Sequence, residues 1–222
     1  MKVVIFDAGT LINFSMNCML DVLKELKKNS GAKFIITREV EYETVKRPLT
    51  IKKYKLGAIR LRSLINEKIV EFPESIGINS SIINEKERKL LSSANSIFYI
   101  DDRPLHLIDI GEASCLALSI LLNEKGIDNI IAIDERTTRV LFEKPNNLKK
   151  LLEEKLHASV IIKDMPSNIG SFKFIRTSEL IYVAYKKGLA KIDREMLDAM
   201  LYGAKFKGCA VSSDEIKDIE GI

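Results

Sequence analysis

Four carboxylates stand where an α/β chain would gather them: Asp7, Glu43, Glu112 and Asp134. Asp7 directly follows the apolar run Lys2-Val3-Val4-Ile5-Phe6, and Asp134 directly follows Asn129-Ile130-Ile131-Ala132-Ile133. Glu43 lies on a short helical stretch after Lys33-Phe34-Ile35-Ile36-Thr37, and Glu112 falls in the first turn of a helix opening at Asp109. In open parallel sheets a ligand binds beyond the carboxyl ends of the strands. Carboxylates sharing one crevice repel and raise one another's pKa. Magnesium or manganese relieves that repulsion, because hard cations take carboxylate and water oxygens. A cation held this way activates water and neutralises charge at a phosphoryl group, the chemistry of phosphodiester hydrolysis.

Each acid also has an ordinary role. Asp7 suits a polar turn and Glu43 a solvated helix face, Glu112 sits at N3 of a capping box begun by Asp109, and Asp134 suits a helix cap. Their joint placement is what points to a site. Glu135 follows Asp134 at once, which makes the acid that faces a cation ambiguous; Asp134, nearer the strand end, is favoured. Thr10, Asn13 and Thr137 are placed to bond a metal-bound water or a phosphate. Asp101-Asp102, just before Pro104, reads as a solvated turn.

The elements that would position these acids follow from hydrophobic period and punctuation. Strands are expected at 2–6, 33–37, 69–72, 129–133 and 159–163. Helices are expected over 11–26, over a short stretch capped by Thr37 and stopped by Pro48, and over 50–66, where Tyr54, Ala58, Leu61 and Ile65 share one buried face. Further helices are expected from Glu85, from Asp109 to Gly126, and over 147–156, 178–187 and 193–206, the last two closing the chain. Strands alternating with helices imply a largely parallel sheet with helices on both faces.

At the acids the sequence resembles the PIN-domain family. Ile5-Phe6-Asp7-Ala8-Gly9-Thr10-Leu11-Ile12 resembles its opening strand and first acid, and Val40-Glu41-Tyr42-Glu43 its second motif. Asp109-Ile110-Gly111-Glu112-Ala113-Ser114 resembles its "GEA" helix, and Ile131-Ala132-Ile133-Asp134-Glu135-Arg136-Thr137-Thr138-Arg139 its last acidic motif. The four occur in the family's order. The resemblance implies a three-layer α/β/α, Rossmann-like PIN domain over residues 1–145, with residues 146–222 an α/β extension packed on it or continuing it. It also implies Mg2+ or Mn2+ at Asp7, Glu43, Glu112 and Asp134, and endonucleolytic cleavage of RNA. Phe6-Asp7-Ala8-Gly9-Thr10-Leu11 superficially resembles the haloacid dehalogenase signature as well. That chemistry needs a second Asp two residues after the first, where Gly9 stands.

A stretch without a single acid, Thr44 to Asn66, carries Lys46, Arg47, Lys52, Lys53, Lys55, Arg60 and Arg62 directly after Glu43. Positive charge beside an acidic site suits a polyanion such as RNA, and Arg136 and Arg139 are placed to steady a phosphate. Whole-chain charge says less: the net is +4 over 222 residues, 46% of them hydrophobic and 30% charged, an ordinary globular balance. Cys18, Cys115 and Cys209 are scattered and odd in number, which points to a reducing compartment. They and the distant His106 and His157 offer no zinc spacing. No run approaches the ~20 apolar residues of a membrane span, so the expected location is the cytoplasm. Partners open at this point are RNA, a second copy of the chain, and a protein partner such as an antitoxin. The alternative to a ribonuclease is the same fold binding RNA or protein without turnover; a toxin of a toxin–antitoxin pair is a role either chemistry allows.

Overall fold

The computed structural model describes residues 1–163 and 171–221; positions 164–170 and 222 of the expected extension lie outside the described residues. Val3, Ile5 and Phe6 are buried in β1 (Lys2–Phe6), which is how a strand covered on both faces reads. Asp7 ends it with extended backbone, and its Oδ2 accepts from the Gly9 amide (3.0 Å) to cap α1 (Ala8–Met16). The single helix expected over 11–26 is two, α1 and α2 (Leu20–Ser30). Asn17 closes α1, its Nδ2 donating to Asn13 Oδ1 (2.7 Å), and Cys18 turns into the left-handed region at φ 58°. The apolar period runs through this break and hides it.

After β2 (Lys33–Ile35) the Thr37 hydroxyl accepts from the Val40 amide (3.3 Å) and caps α3 (Arg38–Glu41) as expected. The helix does not stop at Pro48. It widens into a π-helical turn over Tyr42–Lys46 and resumes as α4 (Arg47–Leu49). Proline at 48 cannot donate to the Thr44 carbonyl and crowds that turn, and the widened turn before it absorbs both defects. Glu43 rides on this turn. Next, α5 (Lys55–Asn66) buries Ala58, Leu61 and Leu64. Tyr54, assigned to the same buried face by its spacing, is 45% exposed, because it precedes the first helical turn and so escapes the helical period.

Positions 69–72 form no strand; Glu71 makes a single parallel bridge with Ile35. Asn79 caps α6 (Ser80–Ala94), one turn ahead of the expected start. Residues 96–106, which carry no clear hydrophobic period, contain a hairpin, β3 (Phe98–Ile100) and β4 (Arg103–Pro104). Asp101 and Asp102 are its turn, as expected, at φ 46° and 62°. The remaining elements are α7 (Ile110–Glu124), β5 (Asp128–Ala132), α8 (Arg136–Glu143), α9 (Pro145–Leu156), β6 (Ile161–Ile162), β7 (Phe174–Ile175), α10 (Thr177–Lys186), α11 (Arg194–Phe206) and α12 (Ser213–Gly221). The last makes three closing helices rather than two. Its start is a reciprocal cap, the Ser212 amide donating to Glu215 Oε2 (2.8 Å) and the Glu215 amide to Ser212 Oγ (3.0 Å).

The main sheet is parallel throughout in the order β2-β1-β5-β7, and β4-β3-β6 form a small antiparallel sheet apart from it. Helices flank the parallel sheet, α7 lying on β1 and β5 with α6 against it. The chain leaves β1 toward β2 on one side and returns to β5 on the other, so the boundary between β1 and β5 is the topological switch point. The Asp7 amide donates to the Ala132 carbonyl (2.9 Å) and extends the β1–β5 ladder to the first acid. Residues after 145 are built into this body: β7 pairs with β5, α10 packs on α1 and α2, and a single buried cluster runs from Val3 to Ile216. No helix among the described residues is long and apolar enough to cross a membrane.

Leu201, fully buried on α11, tests that continuity. Leu201→Ala should cost about 2–5 kcal/mol and lower the single melting transition of the whole protein. Two separate transitions, with only one displaced, would contradict a shared core.

Candidate functional site

Asp7 and Asp134 both stand just past the ends of the two central strands, and both are buried (6% and 4% exposed). Burial, chiefly, lifts the Asp7 carboxyl to about 6, and the charges of Asp134 and Glu135 push in the same direction. Thr10, one turn into α1, has a fully buried hydroxyl with no hydrogen-bond partner among the described residues.

Glu43 reaches the switch point from the π-helical turn. Its helix is pinned to α7 by the Thr37 and Ser114 hydroxyls, 2.6 Å apart, and Ser114 Oγ also donates to the Gly111 carbonyl (2.6 Å). A β-carbon on Gly111 would stand 2.9 Å from each Glu43 carboxylate oxygen, so glycine is what admits the acid against the start of α7. Partial burial first, then the charges of Asp7 and Asp109, raise Glu43 to about 7.

Glu112 has two roles at once. Its Oε2 accepts from the Asp109 amide (2.8 Å), the cap expected from sequence, and its Oε1 accepts from Thr138 Oγ1 (2.7 Å). Burial raises it to about 8, with the Asp7 charge the next contribution upward. The capping role therefore coexists with a place beside Asp7.

Asp134 is differently situated. Thr177 donates to it twice, from its amide to Oδ1 (2.8 Å) and from its hydroxyl to Oδ2 (2.7 Å), and Asn13 Nδ2 adds a third bond to Oδ2 (3.1 Å). Asn13 Nδ2 also donates to the Ala204 carbonyl (3.0 Å), so α1, β5, α10 and α11 meet at this carboxylate. Its neighbour Glu135 is exposed and accepts from the Thr138 amide (2.8 Å), and its charge acts on both Asp7 and Glu112. Position at the strand end favours Asp134 as the acid facing a cation, but both its oxygens already accept bonds from Thr177 and Asn13. Glu135-x-x-Thr138 is a readable cap, whereas Thr177 arrives from 43 residues away with no local signal.

Among the described residues no three acids, histidines or cysteines are gathered so as to hold an ion between them as they stand. The donor chemistry nonetheless suits a hard cation: every candidate ligand is an oxygen, and Asp7, Glu43 and Glu112 each hold a proton far above the ordinary carboxylate range. Magnesium keeps several waters and takes one or two carboxylates with substrate oxygens, so it needs no closed protein cage.

Of the basic residues, Arg47, Lys53 and Arg60 share a cavity lining with Glu43. Lys46 is paired with Glu41 (2.9 Å), while Arg47, Lys52, Lys53, Lys55, Arg60 and Arg62 are exposed and, among the described residues, make no ion pair. Arg47 lies near enough to Glu43 to counter its rise in part. Arg136 is exposed; Arg139 is half-buried, its Nε buried without a partner among the described residues, and Thr137 is half-buried.

The raised carboxyls fix how stability must vary with pH. Each folded-state pKa lies above its ordinary value of 3.8–4.5, so the folded protein binds more protons and its stability falls as pH rises from about 4 through 8. Glu87 on α6, raised by burial to about 7, contributes in the same direction. Glu112→Gln isolates the site: without metal, the variant should melt higher than wild type at pH 8 and equally at pH 4. Equal melting at both would remove Glu112 from the crowd of acids.

No family model, curated protein or solved structure matches the chain.

Proposed function

We propose that the chain is a PIN-like, metal-dependent endoribonuclease. The observation that carries this reading is the crowding of Asp7, Glu43 and Glu112 at the switch point of a parallel sheet, each raised by burial and by a neighbouring acid. Ionising such groups in a metal-free site costs on the order of 3–5 kcal/mol for Asp7 and Glu112, at ~1.36 kcal/mol per pH unit. The caps that Asp7 and Glu112 supply could be made by neutral side chains without that cost.

Asp7, Glu43 and Glu112 would hold the cation, with Glu135 at its exposed side. Asp134, its oxygens already occupied, acts as a positioning residue that fixes β5 and α1 around Asp7. The cation supplies an activated water and neutralises charge on the phosphoryl oxygens. The unpaired cations from Arg47 to Arg62 hold the RNA backbone beside the acids. The second reading is a PIN-like module that binds RNA or protein without turnover. The three hydrogen bonds that Asp134 accepts from Thr177 and Asn13 favour it, since that carboxylate is committed to the fold.

Two variants separate these. Asp7→Asn keeps the cap on Gly9 and the volume but removes a charge from the crevice. Manganese-dependent cleavage of RNA should fall by orders of magnitude, while metal-free melting rises or holds. Equal cleavage by wild type and variant would end the assignment of Asp7, and absence of both metal binding and cleavage in wild type would leave the binding module. Gly111→Ala removes no acid from the chain and adds only a methyl. Alanine is the better helix former by about 1 kcal/mol, so melting should not suffer, yet the methyl displaces the Glu43 carboxylate and cleavage should drop at least tenfold. Full activity in Gly111→Ala would show that Glu43 is dispensable.

A further inference from the structure

A cavity of about 450 Å³ opens between α1, the π-helical turn and α5, within the ~300–1,000 Å³ range of small-ligand sites. Glu43 lies in its lining, so the cavity adjoins the acidic crevice. Its walls are apolar: Ile12 and Met16 from α1, Ile51 from the approach to α5 and Leu56 from its first turn, all of them exposed to solvent. Gly57 brings α5 close to α1, where Ser15 Oγ donates to the Gly57 carbonyl (3.3 Å). Tyr54 forms part of the lining, 45% exposed, with Lys53 Nζ 5.2 Å from the centre of its ring. Arg47 and Arg60 complete a cationic rim.

An apolar floor, a half-exposed aromatic ring and a rim of unpaired cations are together the elements of a platform for unpaired bases. The ring stacks on the π-face of a base and the cations hold its phosphates. An apolar peptide would use the floor but leave three cations without counter-charge. We propose that this cavity is a nucleobase subsite, in which one unpaired base of an RNA strand stacks on Tyr54 while Arg47, Lys53 and Arg60 hold the flanking phosphates. The proposal rests on the ribonuclease reading for its RNA, and it adds a determinant of where that RNA is cut: the base seated on Tyr54 sets which phosphate lies at Glu43.

The chain contains no tryptophan, so Tyr54→Trp introduces a single reporter that preserves a stacking surface. Titrated in EDTA, where no metal supports cleavage, its fluorescence should quench with a single-stranded ten-nucleotide RNA. An abasic oligonucleotide of equal charge should leave it bright. In filter binding to the same RNA, Tyr54→Phe should match wild type and Tyr54→Ala should bind about tenfold or more weakly, the size of one lost stack. Equal quenching by the abasic strand, or unchanged binding by Tyr54→Ala, overturns the subsite. So does emission that is already shifted by protein concentration without RNA, which would place a second copy of the chain in the groove. The ribonuclease reading fails separately: base-dependent quenching by a protein that cuts no RNA with manganese would keep the subsite and remove the nuclease. With cleavage present, Tyr54→Ala should redistribute the cut positions along a mixed-sequence RNA, and an unchanged cut pattern counts against the subsite.

Discussion

A carboxylate at the end of the central strand has to be buried, because the strand that carries it is covered on both faces. Asp7 is in that position, and Glu43 and Glu112 are brought to it by separate helices rather than kept away. Each raises the cost of ionising another, and none of the three is neutralised by an arginine or lysine in an ion pair among the described residues. The usual way to bury a carboxyl is to pair it. Here the fold uses hydrogen bonds from the Gly9 and Asp109 amides and the Thr138 hydroxyl, which hold the acids in place without cancelling their charge. Near neutral pH Glu112 keeps its proton and Glu43 is about half protonated, and a divalent cation displaces protons from such groups as pH rises.

The rest of the molecule serves that crowding. The π-helical turn before Pro48 sets Glu43, and Gly111 leaves room for it at the start of α7. Residues beyond 145 do more than extend the domain, because Thr177 at the start of α10 and the Ala204 carbonyl on α11 complete the hydrogen bonding of Asp134 and Asn13. The Ala210 amide also donates to the Asp134 carbonyl (3.1 Å). Loosening the C-terminal helices would therefore loosen β5 and, through the β1–β5 ladder, Asp7.

Much of this was readable from residue order. The parallel strands at 2–6 and 128–132, the Thr37 cap, the Glu112 cap and the Asp101-Asp102 turn are set by local chemistry: buried β-branched runs, capping hydroxyls and carboxylates, and residues tolerant of positive φ. What could not be read depends on tertiary contact. Strands of two residues such as β6 and β7 have no period to detect. Tyr54 matches the spacing of Ala58 and Leu61 but sits before the helix that would bury it. The hydrogen bonding of Asp134 is decided by Thr177, which reaches it only through the folded sheet.

The central claim is that the raised carboxyls exist to receive a divalent cation. The most direct measurement is anomalous diffraction from crystals of the wild-type protein equilibrated with manganese at pH 8, where the acids give up their protons. The account requires a manganese peak bounded by Asp7, Glu43 and Glu112, absent from crystals of Asp7→Asn prepared identically. A well-ordered crevice with no manganese, or manganese bound only elsewhere on the surface, would contradict it.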